Sequence, residues 1–163
     1  MSLDEKFMRA ALKEAHRAAE RGEVPVGAVI VSRGKIIGRG HNKPVRRKDP
    51  TAHAEIMAIR KACTKQKNYR LADAVMYVTV EPCAMCLGAM IQARIDRLVF
   101  GALDPKAGVV QSIMAFPIDK TNHRLEITGG VLAGECGKVL HDFFKAKRTR
   151  RLKPEKPGSN QHS

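Results

Sequence analysis

The sequence predicts an α/β domain built on a five-stranded mixed sheet. Three observations carry that expectation. Apolar runs of strand length recur between segments with helical spacing, which is the pattern of strands and helices sharing one core. The first two strands are joined by a short turn, as in an antiparallel hairpin. The third and fourth strands are separated by one helix, which demands a right-handed parallel crossover.

In order, Ser2 to Arg21 reads as the first helix. Ser2 and Glu5 form a capping box, Leu3, Phe7, Ala11, Ala15 and Ala18 share a face, and Gly22 stops it. Val26–Val31 is a nearly continuous apolar strand, Ser32–Lys35 a turn, and Ile36–Gly40 the return strand. His41 to Asp49 reads as a loop. Pro50-Thr51-Ala52 introduces a second helix towards Lys67, with His53 and Glu55 in its first turn. Val75–Val80 is a third strand running into Pro82. A helix follows to about Ala93, with Cys83 in its first turn, where the dipole favours thiolate.

Leu98–Gly101 is the fourth strand, and residues 102–122 form a long, weakly patterned segment of the kind that is usually functional. Leu125–Thr128 is a short fifth strand, and Leu132 to about Arg150 the last helix. Residues 1–151 are expected to form one domain. Residues 152–163, rich in Pro, Gly, Ser, Asn and Gln, are expected to be a disordered tail.

With 163 residues, 44% hydrophobic and 28% charged, the chain has the composition of a globular protein with a sizeable core. Its formal charge of +14 is unusual and points to a polyanionic partner, nucleic acid above all. No apolar run approaches the ~20 residues of a membrane span, and no cleavable leader is visible. The expected location is therefore cytoplasmic, with no membrane partner. Reduced thiols there make the four cysteines metal ligands or core residues rather than disulfides.

The chemistry concentrates in His53-Ala54-Glu55 and Pro82-Cys83-Ala84-Met85-Cys86. One imidazole and two thiols are good zinc ligands, and three protein donors leave the fourth tetrahedral position open, as catalysis requires. Glu55, beside the histidine, could then take a proton from an activated water and return protons to the substrate and its leaving group. A Cys-x-x-Cys pair alone would equally suit a redox motif or a structural zinc site. A structural site would need Cys63 or Cys136 as fourth ligand, and both sit within apolar helix patterns that read as core.

Together the two motifs match the H-x-E…P-C-x-x-C signature of zinc-dependent nucleobase deaminases. From about residue 3 to residue 150 the chain resembles the bacterial tRNA-specific adenosine deaminases. The resemblance is carried by Glu23–Val29, Asn42-Lys43-Pro44, Asp49–Ile56, Tyr77–Cys86, Phe100-Gly101-Ala102, Lys106-Ala107-Gly108 and Asn122-His123. It implies a three-layer α/β/α sandwich of the cytidine deaminase-like kind, one zinc ion per subunit, and a homodimer. Met85, Met90 and Ile91 are the apolar residues a dimer would cover.

The implied reaction is hydrolysis of adenosine to inosine at wobble position 34 in the anticodon stem-loop of an arginine tRNA. By match, His53, Cys83 and Cys86 are the implied metal ligands and Glu55 the catalytic residue. Asn42, Val26, Ala54, Asp104, Lys106, Phe144 and Arg148 are implied to contact substrate. Val109-Val110-Gln111-Ser112 departs from the small residues usual there and implies an altered fit to flanking nucleotides. The alternatives are a deaminase of free guanine, cytosine or cytidine, one acting on adenine in single-stranded DNA, or a nucleic-acid-binding module with a structural zinc.

Overall fold

The computed structural model describes residues 1–152. The polar tail anticipated from position 152 lies, apart from Leu152, outside the described residues. The elements are α1 (Leu3–Glu20), β1 (Gly27–Ser32), β2 (Lys35–His41), α2 (Pro44–Arg47) and α3 (Ala54–Gln66). Then follow β3 (Ala74–Val80), α4 (Ala84–Gln92), β4 (Arg97–Ala102), β5 (Glu126–Thr128) and α5 (Ala133–Leu152). A single 3₁₀ turn, Ile118–Lys120, interrupts the long connection before β5.

The strands lie in the order β2-β1-β3-β4-β5. β1 pairs antiparallel with both β2 and β3, whereas β3–β4 and β4–β5 are parallel. The sheet is mixed for the reason the connections dictate. A two-residue turn can only reverse the chain, and α4 carries it back to a parallel neighbour.

Helices cover both faces, so the central strands are apolar at nearly every position, buried Thr79 being an exception. Ala28, Ile30, Met76, Val78, Leu98 and Phe100 point into a core closed by α3 and α4. Val29, Val31, Tyr77 and Val99 point the other way, against Phe7, Met8, Ala11 and Leu12 of α1 and Cys136 of α5. This is the three-layer sandwich.

Several elements differ from expectation. The 41–49 stretch is no plain loop: His41 ends β2, and Pro44–Arg47 forms one helical turn. Pro44 starts that turn at a favourable position, and the Glu23 carboxylate caps it by accepting from Val45 N–H and Arg46 N–H, both at 3.0 Å. Pro50–Ala52 does not enter the next helix. Asp49 accepts hydrogen bonds from both the backbone N–H and the hydroxyl of Thr51, and this Asx turn delays α3 until Ala54. Of the three apolar residues assigned to a dimer face, Met90 and Ile91 are core, at 0% and 6% exposure, and only Met85 is open, at 37%.

α1 begins as its capping box requires, with Ser2 Oγ accepting from Glu5 N–H at 3.1 Å. Its first turn also ties the sheet. Asp4 accepts from Arg97 through both oxygens, at 2.9 and 2.7 Å, and from the Tyr77 hydroxyl at 2.8 Å. The Arg97 hydrogen bond holds the Asp4 carboxyl below the ordinary carboxylate range. A depressed folded-state value contributes stability that is present above the unfolded value and lost as pH falls through the folded one. Urea unfolding of wild type and Asp4→Asn between pH 7 and pH 2 should therefore show a steeper acid limb for wild type. The difference should be about 1 kcal/mol, and equal limbs would remove the ion pair from the acid response.

Candidate active site

The site forms where two helices begin at one edge of the sheet. β3 leads through Glu81 and Pro82 to Cys83, and α3 starts beside it. Both His53 and Cys83 are N-cap residues with extended backbone, at φ −74° and −80°, rather than first-turn residues as their motifs suggested. Neither side chain caps its own helix. They face each other instead, with Cys86 one turn further along α4.

His53 Nδ1 lies 3.6 Å from Cys83 Sγ and 3.5 Å from Cys86 Sγ. A tetrahedral zinc, with bonds of ~2.05 Å to nitrogen and ~2.3 Å to sulfur, sets adjacent N and S vertices about 3.6 Å apart. Both nitrogen–sulfur edges of the donor triangle thus have the length such a site requires, and all three donors lie within 4.8 Å of one another. His53, Cys83 and Cys86 are the one group of metal-capable side chains among the described residues, and no fourth donor joins them. Cys136 is buried against the other face of the sheet, and Cys63 packs at the margin of the first core.

Charge and proton positions reinforce each other here. The Cys83 thiol is pulled down to about 4 by the hydrogen bond from Cys86, with His53 adding to the effect. Cys86 is pushed up by the same sharing and by burial. His53 is raised chiefly by its bond to Cys83. Glu55 stands in the first turn of α3 and is 4% exposed. Burial drives its carboxyl above the ordinary range, while its own N–H and the Cys86 thiol oppose the shift. A carboxyl raised in this way is better suited to take up and give back a proton than an exposed one.

Asn42 Oδ1 accepts from Ala54 N–H at 2.8 Å, so the amide is oriented and its Nδ2 has no partner among the described residues. Ala54 is fully buried, and its N–H is spent on that bond. Val26, Asp104, Lys106 and Phe144 come together with Val24 and Leu140 around a groove of about 360 Å³. Phe144 is 41% exposed, and Arg148 follows it one turn along α5 on the exposed side. The segment leading into β1, the loop after β4 and the last helix thus build one cleft from distant parts of the sequence.

The chain matches the MafB19-like deaminase family over residues 2–148. It is 52% identical over 147 residues to the tRNA-specific adenosine deaminase of Haemophilus influenzae, covering 89% of this chain and 85% of that one. To the enzyme of the same name from Bacillus subtilis it is 44% identical, covering 93% and 94%. The chain belongs to the tRNA-specific adenosine deaminase family. Among solved structures, one from work on A-to-I editing by tRNA:A34 deaminases at the wobble position of transfer RNA superposes with TM-score 0.79. It is 46% identical and covers 83% of this chain and 99% of that one. A guanine deaminase from Nitrosomonas europaea reaches TM-score 0.72 at 25% identity, covering 85% and 83%.

In this family member, sequence reasoning missed Glu81 as a working residue. It is 2% exposed, yet its carboxylate accepts four backbone N–H groups from the loop after β4. Burial alone would raise this carboxyl; bonds from Gln111, Ser112 and Asp104 outweigh burial and hold it below the ordinary range. One sequence signal pointed there. A glutamate ending an apolar strand must find donors if that strand is buried.

Proposed function

We propose that this chain deaminates adenosine to inosine in tRNA, at position 34 of an arginine tRNA anticodon, with one zinc ion per subunit. The observation that carries this reading is the three-donor triangle of His53, Cys83 and Cys86, joined by no fourth donor among the described residues and backed by the buried carboxyl of Glu55. Zinc held by those residues would supply water activated near neutral pH.

The chain's own groups do the rest. Glu55 takes a proton from the attacking water and passes it to the ring nitrogen beside the carbon under attack. It then carries the second proton to the departing amino group, so that adenosine and water become inosine and ammonia. Asn42 Nδ2 donates to the nucleoside and holds it in register, and Ala54 orients Asn42 through its N–H. Val26 offers an apolar wall to the purine.

Phe144 presents a face for a flanking base, Asp104 meets base or ribose donors, and Lys106 and Arg148 meet phosphates. Anticodon-loop nucleotides are partly unstacked already, which makes extrusion of the target base cheap. The +14 charge suits a phosphate-rich partner. Exposed Met85, Ile113 and Met114 supply apolar surface for the proposed homodimer.

One purified sample tests the reading. Mass spectrometry should find inosine at position 34 of an unmodified arginine tRNA, zinc near one ion per chain, and a dimer by sedimentation at micromolar concentration. Turnover of free guanine or cytidine, with the tRNA untouched, would replace this function with that of a free-base or nucleoside deaminase. A monomer in sedimentation would remove the dimer.

A further inference from the structure

The connection from β4 to β5 contains no strand, yet its first ten residues are fastened to one side chain. Glu81 Oε1 accepts from Asp104 N–H at 3.1 Å. Oε2 accepts from the N–H groups of Val110, Gln111 and Ser112, at 2.9, 2.9 and 3.1 Å. The Ser112 hydroxyl adds a fifth bond, to Oε1. Two further backbone bonds close the same seam: Val109 N–H to the Pro82 carbonyl at 3.0 Å, and Glu81 N–H to the Ala102 carbonyl at 2.8 Å.

Gly108 lies directly on the carboxylate; a Cβ there would stand 2.6 Å from Oε2 and closer still to the rest of the group. A carboxylate has about four lone-pair sites and no donor, so only the ionised acid can satisfy this ring of N–H groups. No ion pair joins Glu81 to a cation among the described residues. Its charge is spent wholly on the loop, on four backbone N–H groups and the Ser112 hydroxyl.

The fastened loop is also a wall of the cleft. Leu103, Asp104, Pro105 and Lys106 face Val24, Val26, Leu140 and Phe144 across it. Glu81 itself stands two residues before Cys83. Its bonds therefore fix the spacing between this wall of the cleft and the start of α4.

We infer that Glu81 is a positioning residue for the nucleic-acid substrate, holding residues 104–112 at the distance from Cys83 at which nucleotides flanking the target fit the cleft. This rests on the RNA-deaminase reading above. A loop staple with no part in recognition would change stability and leave the response to substrate alone.

Three variants of the zinc-loaded protein separate the cases. Glu81→Gln puts an amide donor against N–H donors. Gly108→Ala pushes on the carboxylate without altering its charge. Ser112→Ala removes one donor from a partly exposed site and serves if the others fold poorly. In Glu81→Gln, amide exchange at residues 104, 110, 111 and 112 should quicken at least about tenfold, with α3 and α4 unchanged.

On an anticodon stem-loop substrate KM should rise about tenfold, kcat should stay within about threefold, and zinc per chain should not change. Ser112→Ala should give a smaller rise in KM and add little in the Glu81→Gln background, because both act through one contact. Unchanged exchange at those amides, or a loss confined to kcat, would overturn the inference. A wild type that cannot deaminate RNA would instead sink the RNA-deaminase reading, and the exchange result would still decide whether Glu81 holds the loop.

Discussion

Glu55→Gln is expected to cut deamination by about 10³-fold or more while leaving the protein folded, zinc-loaded and able to bind RNA. Gln keeps the shape of the side chain but cannot carry a proton, and a single general acid–base group typically contributes about 10²–10⁴-fold. Here one carboxyl serves twice, so the upper part of that range applies. Because Glu55 is almost fully buried, a neutral side chain also escapes the cost of burying charge. Thermal melting of the variant should be no lower than that of wild type. Inosine formation within tenfold of wild type in single-turnover assays would show that some other group moves the protons.

Gly40→Ala should cause a large loss of stability. Gly40 is on the β2 face that packs against α3. A Cβ there would press into the Ala54 carbonyl oxygen, 2.6 Å from the Ala58 amide nitrogen and 2.8 Å from Met57 Cβ. The first two are backbone atoms, so no rotamer change relieves them, and the helix start bearing His53 and Glu55 must shift. Overpacking of this kind costs about 3 kcal/mol, or about 6–12 °C in Tm for a chain of this size. Zinc affinity should fall with it, since His53 directly precedes α3. A melting temperature within 2–3 °C of wild type, roughly what under 1 kcal/mol would give, would mean that α3 yields more easily than its contacts suggest.

The fold was legible where periodicity is strong. β1 and β3 bury both faces and read as nearly continuous apolar runs, and α1 declares itself through Ser2, Glu5 and a clean apolar face. The clustering of His53, Cys83 and Cys86 was legible because their chemistry is rare and their spacing narrow. Helix starts were read too early at both motifs, because a proline before a helix does not say how many extended residues follow it. At Thr51 a side-chain hydrogen bond decided the matter, and such bonds leave little trace in composition. The 103–112 loop was opaque for a related reason. Its order comes from one carboxylate more than twenty residues upstream, a long-range partnership with no periodicity to reveal it.

His53 and Cys83 are thirty positions apart, and they meet only because β3 has docked between the hairpin and β4. An emerging or unfolded polypeptide therefore offers an ion nothing better than the lone Cys83–Cys86 pair. Tight capture of the proposed zinc ion would await completion of the central sheet, making metal loading a late step in maturation. Retained ion then becomes a readout of correct assembly, and chelators should strip misfolded material first.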